Sequence, residues 1–188
     1  MRIRSWSVTD VGRVRQANED FYSSDDEIGL YVVCDGMGGH KGGEVASRVA
    51  TEAITEHIRS ARDEILAIPE EQRAERRRQA ATLISEAIQA GSAAVWNMAQ
   101  EDDELRGMGC TAVCLWLIGT DGIVGHVGDS RLDLVRDGHF FHLTEDHTLY
   151  QLHQRTGVVP GGKKISKNVL TRAVGIQESV QVDTVMVD

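Results

Sequence analysis

The spacing of apolar residues changes twice along this chain, and that change constrains the fold more than any other feature. Apolar residues recur at helical spacing over residues 43–60 and again over 74–99. Before and after these segments the spacing is that of buried strands, as at residues 29–34 and 110–118. This order lacks the strict strand–helix alternation of a parallel sheet. It favours an α+β fold, in which two helices lie against antiparallel strands.

Shorter signals fill the rest of the chain. Apolar alternation predicts further strands at 3–8, 123–127, 132–135, 139–143 and 180–187, and a short helix at 148–155. The Asp121-Gly122 and Asp137-Gly138 pairs are typical of hairpin turns. The strand at 180–187 has no following partner in the sequence. A charge-dense segment at 63–78, interrupted by Pro69, is expected to connect the two helices.

Charge and length limit the classes of protein to consider. The 188 residues predict one domain, residues 1–188. Twenty Lys and Arg residues against 29 Asp and Glu residues give a net charge of −9. An acidic chain has no global field that attracts phosphate, so we expect neither a nucleic-acid partner nor a membrane partner. The longest apolar stretch, residues 112–118, is far too short to span a bilayer.

Cysteine usage points to a reducing compartment. Cys34, Cys110 and Cys114 are an odd number, form no CxxC pair and all lie in apolar surroundings. We therefore expect buried, reduced thiols. Together with the absence of an apolar signal segment at the N-terminus, this predicts a cytoplasmic protein.

Carboxylates beside glycines stand at the ends of predicted strands. Asp35 and Gly36 follow the buried strand 29–34 and begin a glycine-rich turn, and Gly128-Asp129 follows the strand 123–127. Hard divalent cations prefer carboxylate and carbonyl oxygens, and they activate water for attack on phosphate esters. The pattern at Asp35 favours a cation site. The alternatives are a tight turn alone and a nucleotide-binding loop, for which the glycine spacing is wrong.

An arginine precedes two carboxylates near the N-terminus. The guanidinium of Arg15 has the forked geometry that binds phosphate, and Glu19 and Asp20 could face a cation. Taken alone, this cluster is more typical of a solvated charged loop.

Six motifs in a fixed order make the chain resemble the metal-dependent protein phosphatase family, in its bacterial type-2C serine/threonine form. They are Arg15…Asn18-Glu19-Asp20, Asp35-Gly36-Met37-Gly38-Gly39, Gly109-Cys110-Thr111, Gly128-Asp129-Ser130-Arg131, Thr144-Glu145-Asp146-His147 and Leu170-Thr171-Arg172-Ala173-Val174-Gly175. The resemblance covers nearly the whole chain. It implies an antiparallel β-sandwich flanked by helices, in α-β-β-α layers.

The resemblance also implies a metal centre. Asp35 would bridge two Mn²⁺ or Mg²⁺ ions, and the Gly36 carbonyl would ligate one of them. Asp129 would help to bind a third ion near the pair. Glu19 and Asp20 would hold metal-bound waters.

The implied reaction is the hydrolysis of phosphoserine and phosphothreonine in proteins. A metal-bridging hydroxide would attack phosphorus, so that Asp35 and Arg15 are the expected catalytic residues and Arg15 binds the substrate phosphate. The partners would be phosphorylated proteins, a Ser/Thr kinase or its substrates, and the enzyme would reverse the signalling of a bacterial kinase.

Two departures from the family pattern matter. Met37 stands where some members have a histidine proposed as general acid, and the nearby His40 is more typical of an ordinary solvent-facing or structural residue. The family also continues with a Ser-Asp-Gly segment and a late Asp-Asn pair, whereas this chain ends at Asp188. Either the domain is C-terminally incomplete, a piece of a longer product, or its two-metal site lacks ligands. A non-catalytic pseudophosphatase or phosphoprotein-binding module therefore stays open as the alternative function.

Three further features have simpler interpretations. The run Arg73, Arg76, Arg77 and Arg78 predicts a solvated helix face, because glutamates alternate with it. We expect the three tryptophans, Trp6, Trp96 and Trp116, to be core or packing residues. The segment 157–167 is either a mobile flap beside the metal site or a plain surface loop.

Overall fold

The computed structural model describes residues 3–38, 42–157 and 166–188. Most of its strands form one antiparallel sheet: β1 (Asp20–Asp25), β2 (Leu30–Met37), β3 (Gly109–Cys110), β4 (Ala112–Ile118), β5 (Asp121–Val127) and β8 (Asp183–Val187). The order across this sheet is β1-β2-β4-β5-β8, with β3 also pairing with β2. A separate two-stranded sheet joins β6 (Asp133–Arg136) to β7 (His139–His142).

Two long helices carry the helical signals. They are α1 (Gly42–Leu66) and α2 (Arg73–Glu101), and α3 (Leu149–Thr156) is a shorter helix that Thr148 caps at its N-terminus. Short 3₁₀ turns lie at Glu70–Gln72 and Asp103–Leu105. Among the described residues, no helix combines the length and the apolar character that a membrane crossing requires.

The hydrophobic core lies between the two long helices and one face of the large sheet. Alternate residues of β2 and β4 are buried, as period-2 side-chain geometry requires. They pack against α1 at Ala46, Ala50, Ile54 and Ile58. Gly125 in β5 makes room for α2, since a Cβ on it would lie 2.2 Å from Ile84 Cγ2. The helices therefore hold β2 and β5, whose ends deliver the acidic residues of interest.

The α+β class with antiparallel strands is confirmed, with two sheets of unequal size. The two predicted helices are present and longer than expected, so that the predicted connector shrinks to the residues around Pro69. Predicted strand 110–118 is divided at Thr111 into β3 and β4. The cysteines are buried and unpaired, as predicted.

Five predictions are wrong. The Asp121-Gly122 pair is not a hairpin turn, because both residues belong to β5 and the turn is at residues 119–120. No strand forms at residues 3–8. Ser5 donates its backbone N–H to Asp26, just after β1, and its hydroxyl is hydrogen-bonded to that of Ser24 in β1. Trp6 is 84% exposed and is not a packing residue. The final strand does have a partner, because β8 pairs with β5.

The last concerns the arginine run, which is a solvated face only at Arg78, where the side chain is exposed and pairs with Glu75. Arg76 is buried, and with Arg73 and Arg77 it surrounds the buried carboxylate of Asp121 at the start of β5. The alternating charges along the helix did not indicate this ion pairing, because the acidic partner, Asp121, lies 48 residues away from Arg73 in the sequence.

Candidate functional site

The site is a cleft of about 850 Å³ at one end of the large sheet. It is lined by Arg15, Asp35, Gly36, Met37, Thr111 and Asp129 on one side and by residues 168–181 on the other. The structure thus brings together residues that the sequence spreads over more than 100 positions. Of the predicted flap, only residues 157, 166 and 167 belong to the described part; His40 and Gly39 lie outside it.

Asp35 lies near the end of β2, where it is directly opposite Asp20 of β1 in the strand register. Partial withdrawal from water is the main cause that raises the pKa of Asp35 to about 6. The carboxylates of Asp20, Asp129 and Glu19 raise the pKa of Asp35 further, and Asp20 has the largest effect of the three and Glu19 the smallest. Four acidic side chains therefore act on one another electrostatically at this point.

Packing around the end of β2 requires a glycine at Gly36. A Cβ there would lie 2.0 Å from the carbonyl oxygen of Gly43 at the start of α1, and 2.6 Å from that of Glu19. The Gly36 N–H donates to the same Glu19 oxygen at 3.0 Å. This contact joins β2, the turn before β1 and the first turn of α1 around the acidic cluster.

Thr111 supports Asp35 from the neighbouring strand. Its hydroxyl accepts from the Asp35 N–H at 2.9 Å, and its own N–H donates to the Asp35 carbonyl at 2.9 Å. The same hydroxyl lies 2.6 Å from Ser130 Oγ, beside Asp129. The break between β3 and β4 at Thr111 therefore links the two acidic strand ends.

Arg15 lies at the rim of the cleft. Its Nη1 is 3.3 Å from Glu19 Oε2, and its side chain is 76% exposed. A second depression of about 510 Å³, lined by Arg15, Gly36 and Met37, adjoins it. A guanidinium in this position can bind an anion at the mouth of the cleft without leaving Glu19.

The donor chemistry of the acidic cluster fits hard divalent cations. Asp35, Asp20, Glu19 and Asp129 offer carboxylate oxygens. Burial and, after it, the neighbouring carboxylates raise the pKa of Asp35, and a bound cation would favour its ionised form. In the described ranges no three His, Cys, Asp or Glu side chains already converge as a metal-ligand group. The set is therefore open, and backbone carbonyls and waters would complete the coordination of any ion bound there.

Arg172 in the opposite wall of the cleft is bonded to residues that do not line it, and the sequence motifs assigned no role to any of them. Arg172 donates from Nη1 to Asp183 Oδ1 at 2.6 Å, and Asp183 Oδ2 lies 3.0 Å from His147 Nε2. Asp183 in β8 thus binds a basic pair. In the sequence, His147 and Arg172 appeared only as members of the fifth and sixth motifs. Their contact with Asp183 was not predicted, because Asp183 is 36 residues from His147.

Fold and site together define a class: α+β proteins whose antiparallel strand ends present carboxylates to a cleft with an arginine at its mouth. Comparison with known proteins makes this specific. The family model of protein phosphatase 2C matches residues 11–157. The chain therefore belongs to the protein phosphatase 2C family.

Individual relatives agree with this assignment. The serine/threonine phosphatase stp of Listeria innocua is 33% identical over 185 residues, which are 95% of this chain and 69% of the relative. Among solved structures, the serine/threonine phosphatase Stp1 of Staphylococcus aureus superposes with a TM-score of 0.77 at 28% identity, over 95% of this chain and 68% of that one. The catalytic domain of the phosphatase PstP, in complex with two manganese ions, has a TM-score of 0.72 at 27% identity, over 95% and 70% respectively.

Proposed function

We propose that this protein is a metal-dependent phosphatase that hydrolyses phosphoserine and phosphothreonine in proteins, with the cleft at Asp35 as its active site. One observation carries the proposal: Asp35, Asp129 and Arg15 line the same cleft, although they are far apart in sequence. Carboxylates for a divalent cation and a guanidinium for a phosphate are what hydrolysis of a phosphate ester needs in one place.

Each side chain then has a defined task. When bound, Mn²⁺ or Mg²⁺ supplies Lewis-acid polarisation of the phosphate and acidification of water. Asp35 and the Gly36 carbonyl would hold two ions, Asp129 a third, and Glu19 and Asp20 their waters. Arg15 would bind the phosphate oxygens of the substrate and orient the ester at the mouth of the cleft. No protein nucleophile is required, in keeping with three buried cysteines.

The biological setting follows from the substrate class. Phosphoserine and phosphothreonine in proteins are products of protein kinases, so the enzyme would oppose a bacterial Ser/Thr kinase in signalling. A cytoplasmic location suits the three reduced, buried thiols. We further propose that residues 1–188 act as one domain, since strands from both ends of the chain join the same sheet.

The non-catalytic alternative is not favoured. The named relatives are phosphatases, and the cleft contains both a guanidinium that can bind an anion and carboxylates that can bind a cation. A module that only bound phosphoprotein would have no need for four mutually repelling carboxylates beside its arginine.

The test is hydrolysis of p-nitrophenyl phosphate and of a phosphothreonine peptide by this chain, with and without millimolar Mn²⁺. We expect turnover that requires Mn²⁺ and that Asp35→Asn removes, since the substitution deletes the negative charge that would hold the cation while keeping the side-chain size. Asp63→Asn is the matched control, because Asp63 is 90% exposed on α1 and away from the cleft. Equal Mn²⁺-dependent turnover by Asp35→Asn and the unmodified chain would refute the assignment.

A further inference from the structure

His147 lies where the two walls of the cleft meet. Its side chain is 6% exposed. Its backbone N–H donates to the carbonyl of Gly128 at 2.8 Å, and its carbonyl accepts from the Thr171 N–H at 2.8 Å. Gly128 precedes Asp129 on one wall, and Thr171 precedes Arg172 on the other. His147 therefore joins both walls through its main chain.

The imidazole ring makes a second connection to the same glycine. The Gly128 N–H donates to His147 Nδ1 at 3.1 Å, while Nε2 faces Asp183 Oδ2 at 3.0 Å. Nδ1 accepts a hydrogen bond, so in the neutral ring the proton is on Nε2 and is donated to Asp183. Arg172 Nη1 lies 3.2 Å from Nε2 but donates to the other Asp183 oxygen, so one carboxylate receives both donors.

Gly128 needs this support because its backbone is unusual. Its φ is +107°, in a region that L side chains rarely adopt, and a Cβ would lie 2.6 Å from Thr111 Cγ2. Both polar groups of the residue are bonded to His147, and the next side chain, Asp129, lines the cleft. The direction of the chain at Asp129, just after β5, is thus set by His147, which is not among the residues that line the cleft.

We propose that His147 is a positioning residue for Asp129. Its Nδ1 lone pair holds the Gly128 peptide, and Asp183 with Arg172 holds the ring in the tautomer that leaves this lone pair free. The inference rests on the proposed function, in which Asp129 binds a divalent cation. Hydrogen bonds of this indirect kind are worth roughly 10–100-fold in metal affinity.

Two substitutions separate the two sides of the ring. His147→Asn places an amide oxygen near the position of Nδ1 and keeps an acceptor for Gly128. His147→Gln places an amide nitrogen near the position of Nε2 and keeps a donor for Asp183, but leaves the buried Gly128 N–H without an acceptor. A purely structural role for the ring would not rank these two variants by which nitrogen they imitate.

The measurement is Mn²⁺ binding to the full chain, followed by the electron paramagnetic resonance of unbound Mn²⁺. The Asp129-dependent binding is defined as the binding that Asp129→Asn removes. We expect His147→Gln to weaken that binding roughly 10–100-fold, and His147→Asn to retain it. Equal Mn²⁺ affinities for the two His147 variants would overturn the positioning role.

Different results would overturn the positioning role of His147 and the proposed phosphatase function. Unchanged Mn²⁺ binding by Asp129→Asn, with binding lost in Asp35→Asn, overturns the positioning role and leaves the phosphatase site intact. Unchanged binding by both variants overturns the two together. If His147→Gln does not fold, nitrogen-15 NMR of the unmodified ring decides: a protonated Nδ1 overturns the proposal, and a protonated Nε2 supports it.

Discussion

At the scale of single residues, close contacts decide which side chains the site tolerates. At Gly36, a Cβ would overlap the Gly43 carbonyl oxygen in α1. At Asp35, three neighbouring carboxylates raise the pKa of the side chain. The sequence predicted both positions, because an acidic residue and a glycine at a strand end are a local signal. It did not predict that Gly43 and Glu19 make the glycine obligatory.

Gly36→Ala should destabilise the protein, since the new methyl group overlaps the Gly43 carbonyl and must displace the start of α1. We expect a loss of about 1–3 kcal/mol in the free energy of unfolding, measured in urea. Gly122→Ala in β5 is the matched control, because the nearest atom there is 3.4 Å from the new Cβ. Equal midpoints for the two variants would contradict the steric argument.

Arg15→Ala should raise KM for a phosphopeptide more than it lowers kcat, because in the proposed function the guanidinium would bind the phosphate in both ground and transition states. A charge-assisted hydrogen bond of this kind predicts a rise in KM of roughly tenfold or more. Arg15→Lys should recover part of it, since a lysine keeps the charge but loses the fork. Arg13→Ala, at a neighbouring exposed arginine, should behave like the unmodified enzyme; an unchanged KM in Arg15→Ala would remove its assigned role.

At the scale of elements, an ion cluster fastens α2 to the sheet. Arg73 Nη2 lies 2.5 Å from Asp121 Oδ1, and Arg76 and Arg77 lie within 3.7 Å of the same carboxylate. Asp121 is 1% exposed. Hydrogen bonds from Arg73 are the main cause that keeps the pKa of Asp121 below its usual value. Removal of the carboxylate leaves the buried Arg76 with the more exposed Glu70, 2.7 Å from its Nη2, as its remaining ion-pair partner.

Asp121→Asn should therefore lower the free energy of unfolding by about 2–3 kcal/mol, a figure reduced because Arg73 is partly exposed. The effect should be present at neutral pH and disappear as pH falls below the ordinary pKa of an aspartate, because the lowered pKa stabilises only the ionised form. Urea unfolding at several pH values measures this. Asp103→Asn, at an exposed pair with Arg106, should cost under about 1 kcal/mol.

At the scale of the whole molecule, a buried histidine pair couples the fold to pH. His126 is 2% exposed, its Nε2 is without a hydrogen-bond partner among the described residues, and its ring lies 4.7 Å from that of His147. Burial, and next the charge of His147, lowers the pKa of His126 to about 4. Asp183 and Asp146 oppose this shift.

A lowered histidine pKa means that the unfolded chain binds the proton first. The stability that His126 contributes is therefore complete above pH 6.5 and is lost as pH falls from 6.5 towards 4. The difference in free energy of unfolding between the unmodified chain and His126→Gln should change by about 3 kcal/mol across this window. A difference that does not vary with pH would show that His126 titrates normally in the fold.

The predictions from sequence succeeded where the signal was local. Apolar periodicity located the two long helices and most strands, since one face of each element must be buried against the rest. It failed at residues 3–8, where alternation was present but no strand formed. It also missed the division at Thr111, which depends on hydrogen bonds to Asp35 from 76 residues away.

The sequence by itself determined the element types, the α+β class and the motif order that points to the phosphatase family, because these depend on neighbours within a few residues along the chain. Only the tertiary structure decided that β8 pairs with β5, that an arginine run binds Asp121, and that His147 holds Gly128. Those contacts join segments 19 to more than 60 residues apart. Packing and burial of the whole chain select these contacts, so the pattern of neighbouring residues in the sequence does not predict them.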